Sequence, residues 1–400
     1  MTQASKAARR NLLVTVAMVF AVFTGFAFVL PFLPLFVVRE LGVAEPERAA
    51  LWAGVLIGVA PLLAGLLAPA WGRLADRYGQ KGIAAKALVA YVVLLALSAA
   101  VTSVGQLLAL RIGVGLFGGI GPLGLAMATS QASREETGRA VGLVQAAQIL
   151  SAAIGPLAGG ILADAIGMRR TFLVTAALCA LALLLLLAFY EERPLAEKKR
   201  AAAGGGFRSI VALPGVTALL VVLFLVNFIG RSFTPILPLH LGVLGLPDAR
   251  LASATGVLIS GYSLAAAGSA FGLGRLSRTH SPHALLVATL VGGALIVGPM
   301  GLVPSFELVL TLAVLLGLVA GGSLTLCYTI GGQMVPEGVR TTAFGFFSGA
   351  ALFGGAVAPS VAGLVAHVAL RGIYFVDAAL YLALGVALVR STTLRGRVSP

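Results

Sequence analysis

Of the chain's 400 residues, 59% are hydrophobic and 10% charged, well short of the roughly 25% charged residues of soluble domains. That balance excludes a soluble globular protein and makes the bilayer its solvent. The formal charge of +14 does not point to nucleic acid as a partner, because the basic residues fall mostly in alternate loops, with no basic arm and no basic patch interleaved with aromatics.

The chain opens with Lys6, Arg9 and Arg10 before the uncharged run 11–38. A cleaved signal has a hydrophobic region of only about 7–15 residues, so this longer run reads as an uncleaved first span. A span needs about 20 apolar residues at a rise of 1.5 Å each. On that criterion, breaks at charges, Pro/Gly clusters and polar runs predict twelve spans, near 11–38, 49–75, 83–103, 106–129, 140–165, 170–190, 216–241, 252–276, 283–303, 306–333, 341–366 and 371–390. The 51 glycines and 18 prolines suit such helices, which tolerate both and use small residues to pack closely. Cys179 and Cys327 lie inside predicted spans without CxxC or Cys/His spacing, so neither metal nor redox chemistry is expected and no cofactor is implied.

An even number of spans puts both termini on one side. Twenty of the 28 basic residues lie at the termini and in the even-to-odd loops, against six in the opposite loops: Arg39, Arg48, Arg169, Arg170, Arg250 and Arg371. Both termini are therefore expected in the cytoplasm, in a multi-pass inner (plasma) membrane protein. The longest connection, 191–215, is polar and charged and holds three consecutive glycines, as a flexible linker does. It divides the chain into a six-helix bundle over 1–195, a linker over 196–214 and a second six-helix bundle over 215–400. Short matches support a duplication. Pro31-Phe-Leu-Pro-Leu35 recurs as Pro235-Ile-Leu-Pro-Leu239, Gly54-Val-Leu-Ile57 as Gly256-Val-Leu-Ile259, and Gly72-Arg-Leu74 as Gly274-Arg-Leu276. Gly155-Pro156 and Gln131 correspond to Ala358-Pro359 and Gln333, all at offsets of 202–204. The expected fold is all-α and integral to the membrane, with twelve transmembrane helices in two pseudo-symmetric six-helix bundles.

The loop after span 2 reads GRLADRYGQKG, residues 72–82. It resembles the G-x-L-A-D-R-x-G-R-K signature of the major facilitator superfamily through Gly72, Leu74, Asp76, Arg77, Gly79 and Lys81, with Gln80 in place of a basic residue. The resemblance implies a conformational gate, and the chemistry suits one. Asp76 at a helix end can meet the positive N-terminus of a facing helix, such as span 11 from Thr341, while Arg77 can pair with Glu135 or Glu136. In span 4, Arg111 and Gly115 resemble the superfamily's R-x-x-x-G pattern. An arginine inside a span costs about 2.5–3.5 kcal/mol on insertion scales, so it is expected to face a cavity or a partner, Asp164 being one. Gly115, Gly118 and Pro122 share its helix face and clear that face of bulk. In span 5, Gly155, Pro156, Gly159 and Gly160 resemble the G-P-x-x-G-G motif of the twelve-span drug:proton antiporter branch. The GxxxG spacing permits close helix approach and the proline adds a bend, as a hinge against span 8 or 11 requires. The resemblance covers the whole chain and implies the major facilitator fold, with transport by alternating access. The second-half counterpart of the gate loop, GRLSRTHSPH, lacks the aspartate.

The other embedded ionisable residues are Arg231 in span 7, Asp377 in span 12, Asp164 at the end of span 5, and His240 and His367 near helix ends, where a wet, non-functional position is expected. Asn227, Arg231, Thr234 and Pro238 form a polar stripe on span 7. Arg231 and Asn227 are therefore the leading substrate-binding candidates, with Arg111, Gln145, Gln148, Tyr262 and Tyr328 as further cavity residues. Arg231 and Asp377 fall about 15 and 9 Å in from the outer ends of their spans, so an ion pair between them is expected, structural or titrated. Asp377 and Asp164 are the candidates for proton coupling. No carboxylate lies within span 1 or the interior of span 10, which favours neutral, zwitterionic or anionic substrates over cations. The chain carries no HExxH, no phosphate-cradling glycine loop and no nucleophile with a nearby His and acid, so it is not read as an enzyme. It is expected to be a proton-coupled, monomeric secondary transporter exporting a small amphipathic or anionic solute, with rocker-switch motion of the two halves. Its partners would be that solute, the lipid bilayer and protons, with no metal. A metabolite or nutrient uniporter or exchanger, and a non-transporting receptor or scaffold, are the alternatives.

Overall fold

A computed structural model of the chain describes residues 3–130, 137–192, 211–336 and 340–390. Among these residues all regular structure is helical, as an apolar solvent requires: a backbone group left unpaired in hydrocarbon is costly, and a helix pairs such groups within its own segment. Among the described residues, twelve helical stretches are long and apolar enough to cross a membrane. Span 1 is Gln3–Val29 followed by Leu33–Arg39; spans 2 and 3 are Pro46–Tyr78 and Gln80–Ser98. Span 4 is Val104–Leu116 with Ile120–Ser130, and spans 5 and 6 are Thr137–Ile166 and Met168–Phe189. Span 7 is Val216–Ser232 with Leu237–Val243, and spans 8 and 9 are Leu251–Leu276 and Pro282–Met300. Span 10 is Phe306–Ala320 with Ser323–Met334, and spans 11 and 12 are Arg340–Val368 and Gly372–Arg390.

Spans 1, 4, 7 and 10 are broken where the sequence suggests continuous helices, and the breaks recur at the repeat offset. In spans 1 and 7 the repeated Pro-x-x-Pro puts Pro31 and Pro235 in the turn and Pro34 and Pro238 at the start of the following helix. Each proline lacks the backbone donor that would continue the helix. In spans 4 and 10 the breaks fall at Gly118-Gly119 and Gly321-Gly322. Gly118 approaches span 2 so closely that a Cβ would stand 2.3 Å from the Cβ of Ala64, and Gly321 bears the same relation, also 2.3 Å, to Ala266 of span 8.

The chain forms two compact units. One comprises Met1–Glu45, Val59–Glu197 and Pro247–Ser260, the other Pro46–Gly58, Lys198–Leu246 and Gly261–Pro400. The first turns of span 8 thus belong with the first unit and those of span 2 with the second. Two glycine crossings are the cause. In the first unit, a Cβ on Gly256 of span 8 would stand 2.3 Å from the carbonyl oxygen of Pro156, and one on Gly160 would stand 2.2 Å from that of Ala252. In the second, Gly54 of span 2 bears the same relation to Pro359 at 2.1 Å, and Gly363 to Ala50 at 2.7 Å. Each residue of one crossing maps onto its counterpart at an offset of 202 or 203, so the duplication shows in the contacts as well as in the sequence. Without side chains between them the backbones gain dispersion contacts that hold helices together in lipid.

The end of span 6 is finished by residues of the signature loop. Lys81 Nζ donates to the carbonyls of Leu187 (3.1 Å) and Tyr190 (2.7 Å), and Asn11 Nδ2 donates to that of Glu191 at 2.7 Å. These carbonyls have no partner within the helix, and a cation suits them. The Glu192 carboxylate in turn accepts the Lys81 N–H at 3.2 Å beside Gly79, whose φ is +90° and whose Cβ would fall 2.7 Å from Glu192 Oε1. Gly79→Ala is predicted to destabilise the protein by about 1–3 kcal/mol through backbone strain and displacement of Glu192. The measurement is the Tm of the purified protein in detergent, and an unchanged Tm would refute it.

Candidate functional site

The leading candidate lies in the second unit. Arg231 occupies the last turn of Val216–Ser232 and is exposed, whereas Phe228, Ile229, Ser232 and Phe233 around it are buried. Gly355 of span 11 makes room for it: a Cβ there would stand 3.4 Å from Arg231 Cγ and 2.9 Å from Asn227 Nδ2. Asn227, one turn earlier, donates through Nδ2 to the carbonyl of Ala351, so one of its two amide hydrogens is engaged with span 11. From span 8, the Tyr262 ring meets Phe233 edge-on at 5.4 Å, and its hydroxyl would lie 3.5 Å from a Cβ on Gly230, within electrostatic range of Arg231. Among the described residues no hydrogen bond or ion pair engages the Arg231 guanidinium. Two turns back on the same helix face, Phe224 packs against Phe353 of span 11 at 5.9 Å. Tyr328 of span 10 stacks on Phe344 at 6.0 Å, with its hydroxyl 3.5 Å from Ser348 Oγ.

The ion pair expected between Arg231 and Asp377 is not formed. Ser232 donates to Asp377 Oδ2 at 2.5 Å. Consecutive helical residues point about 100° apart, so the orientation that gives Ser232 to span 12 turns Arg231 away from it. Asp377 is fully buried, and its Oδ1 has no hydrogen-bond partner among the described residues. The Ser232 hydroxyl has a single hydrogen and two acceptors within reach, Asp377 Oδ2 and the Ile229 carbonyl at 2.9 Å. His240 is not the wet residue expected either. Beyond the break in span 7, Leu237–Val243 turns the buried ring toward span 12, where Nδ1 lies 3.0 Å from the Tyr374 hydroxyl. His367 is exposed.

In the first unit, Arg111 is buried at 7% exposure, and its Nε and Nη2 lack hydrogen-bond partners among the described residues. Asp164 is not its partner: no bond or ion pair joins the two among the described residues, and Asp164 Oδ2 accepts the Ser253 N–H at 2.8 Å. Gly115 and Gly118, which the sequence suggests clear a cavity face beside Arg111, are instead pressed against Ala60, Leu63 and Ala64 of span 2. The small residues serve helix packing. Gln145 is exposed and Gln148 half-buried near Phe23 and Gly121. No hydrogen bond joins either glutamine to Arg111 among the described residues.

Of the gate residues, Gly72 has open space beside it, and the exposed Arg77 holds its guanidinium 5.2 Å over the Tyr78 ring. Gly79 and Lys81 are engaged at the end of span 6. The Asp76 and Thr341 side chains, Glu135 and Glu136 lie outside the described residues. The span 5 motif packs on two sides. A Cβ on Gly155 would stand 2.4 Å from that of Ala27, one on Gly159 2.2 Å from Phe28 Cα, and Gly160 faces span 8. The amide after Pro156, Leu157 N–H, donates to Ser260 Oγ of span 8 at 3.1 Å. Ser232, Ser253 and Ser260 carry contacts that the sequence does not single out; a lone serine on an apolar helix leaves no periodic trace.

The family model described as Major Facilitator Superfamily matches residues 15–306 and 252–399. The chain belongs to that superfamily. It is 31% identical over 324 residues to the multidrug resistance protein MdtG of Yersinia enterocolitica, across 80% of this chain and 78% of that protein. It is 32% identical over 299 residues to the multi-drug resistance efflux pump PmrA homolog of Lactococcus lactis, across 74% and 73%. Among solved structures, a D-xylose-proton symporter superposes with a TM-score of 0.76 at 14% identity, over 97% of this chain and 99% of that one. A bacterial homologue of the human lysosomal transporter Spinster, inward-facing and occupied, gives 0.74 at 18% identity over 94% of each chain. At these identities the likeness shows the fold alone. As a member of this superfamily the chain is a multi-pass membrane transporter.

Proposed function

We propose that the chain exports a small amphipathic or anionic solute across the inner membrane, driven by protons, through alternating access of its six-helix halves 1–195 and 215–400. The names of the relatives, a multidrug resistance protein and a multi-drug resistance efflux pump homolog, support export. The anionic preference rests on Arg231. Arg231 is an exposed residue of an apolar span, and its guanidinium has no counter-ion among the described residues. A charge so placed is tolerated facing water or an opposite charge, and a substrate oxyanion supplies the latter through a bidentate contact that only arginine offers. Phe224, Phe353 and Tyr328 offer ring faces for an apolar body. In this reading Tyr262 and Asn227 border the head group, while Arg111, Gln145 and Gln148 line the first half's share of the pathway. Asp377 takes the coupling proton, because its buried carboxyl has one free oxygen and a single serine partner. The protein works as a monomer with both termini in the cytoplasm, and Gly72, Asp76 and Arg77 form its inner gate.

The test compares an aromatic carboxylate with the matching amine and neutral amide by thermal shift of the purified protein. The carboxylate is expected to raise Tm. Arg231→Gln is expected to weaken its binding about tenfold to a hundredfold, as loss of a charge-assisted contact does. Stabilisation by the amine alone, or unchanged carboxylate affinity in Arg231→Gln, refutes the anionic reading.

A further inference from the structure

We propose that Asp164 is a positioning residue for transport, a carboxylate cap that clamps the start of span 8 onto span 5 and has to release in each cycle. The proposal rests on the alternating-access reading. Asp164 stands at the end of Thr137–Ile166, and its Oδ2 accepts the N–H of Ser253, the third residue of Leu251–Leu276, at 2.8 Å. A 3-10 turn, Asp248–Arg250, leads directly into this helix, and its Asp248 carbonyl takes the Leu251 N–H. The Ser253 amide instead points at Asp164, and near the positive end of a helix a carboxylate on an amide forms a charge-assisted bond. The Ser253 hydroxyl is a separate donor, given to the Arg250 carbonyl at 3.1 Å, so only the amide engages Asp164.

Other contacts inside the first unit hold the same turns in place. Gly160 and Gly256 bring the two backbones together against Ala252 and Pro156. Ser260 Oγ accepts the Leu157 N–H. Asp248, just before span 8, takes Arg39 Nη2 on Oδ1 at 2.9 Å and Nη1 on its carbonyl at 3.1 Å. Asp248's side chain is 87% exposed, and ion pairs so placed contribute little. Asp164 is half-buried at the crossing, where charges are screened less by water and salt than at the surface.

The duplication shows what is particular to this crossing. Spans 2 and 11 repeat the glycine contacts through Gly54 and Gly363, and Ser360 Oγ donates to the Gly54 carbonyl at 3.4 Å. Yet His367 stands at the position equivalent to Asp164, and Leu51 at that of Ser253. His367 is exposed, and no bond from it to span 2 is found among the described residues. Close packing is thus shared by both crossings, while a charged cap belongs to one. Packing alone resists separation over short range; the carboxylate adds an attraction that one substitution removes without changing the backbone.

The experiment uses the full chain in detergent carrying Ala252→Cys, a position 1% exposed beside Gly160. A charged maleimide is the probe, and the native Cys179 and Cys327 are buried. Labelling of Ala252→Cys is expected to be slow with Asp164 present and about fivefold faster in Asp164→Ala, as loss of a helix cap predicts. Asp164→Asn, which keeps a carbonyl acceptor without the charge, is expected between the two, and Asp248→Ala at the parental rate. An unchanged rate in Asp164→Ala overturns the proposal. So does equal acceleration by Asp248→Ala, or a matching rise in Cys179 labelling, which marks general loosening of the fold. Because labelling needs no substrate, its failure is distinct from absence of solute flux, which counts against the transporter reading itself.

Discussion

Asp377→Asn is expected to reduce proton-driven flux to background while leaving carboxylate binding at Arg231 unchanged. The two residues serve different faces of span 7: Ser232 turns toward span 12 and bonds Asp377, and Arg231 turns away with its stem against Gly355. Asparagine matches aspartate in shape and keeps an oxygen for the Ser232 hydroxyl, so the buried contact survives and Tm should stay close to that of the parent. What asparagine lacks is the ability to take up and release a proton. A buried carboxyl with one unpartnered oxygen is otherwise a liability in an apolar core, since leaving a polar atom unpaired costs about 1–3 kcal/mol. A coupling role gives such a carboxyl a use that an amide does not share. The measurement is solute flux into proteoliposomes under an imposed pH gradient, alongside thermal-shift titration. Gradient-driven flux at the parental rate removes Asp377 from proton coupling. Loss of binding and flux together identifies it as a part of the solute site.

Much of the architecture was legible because span length is a one-dimensional property. Runs of apolar residues place all twelve helices within several residues of their observed bounds, and the offset of 202–204 recovered from letter matches is the same one that relates Gly54–Pro359 to Gly256–Pro156 in space. The breaks in spans 1, 4, 7 and 10 were not legible. Membrane helices tolerate glycine and proline, so Gly118-Gly119 does not announce a break until Ala64 is known to press against it. The Arg231–Asp377 pair failed for a related reason. Rise per residue gives depth along a helix, but which way a side chain points is fixed by its neighbours, here by Ser232. Asp164 was legible as a residue at a helix end, though not as a cap, because Ser253 lies 89 residues further along the chain.

Gly54→Val should damage transport more severely than any single surface change, and Gly256→Val should match it. A Cβ at Gly54 would lie 2.1 Å from the Pro359 carbonyl oxygen and 3.2 Å from Gly363 Cα. Both of these are backbone atoms, which cannot swing aside as a flexible side chain does. Spans 2 and 11 therefore have to separate by more than an ångström along this contact, and overpacking of that kind costs about 1–3 kcal/mol. At Gly256 the obstructing atoms are again backbone, the Pro156 carbonyl oxygen at 2.3 Å and Leu157 Cα at 3.0 Å. The two crossings share no partner residues, so their effects on stability should add to within about 0.3–0.5 kcal/mol in the double variant. Gly65→Ala provides the control on the same helix as Gly54. A Cβ there meets nothing within 4 Å, and alanine is the better helix former by up to about 1 kcal/mol. Its Tm should hold or rise. If Gly54→Val melts like Gly65→Ala and supports parental flux, the crossing of spans 2 and 11 is not a close contact in the working protein, and the clamp at the pseudo-symmetric crossing of spans 5 and 8 loses its structural counterpart.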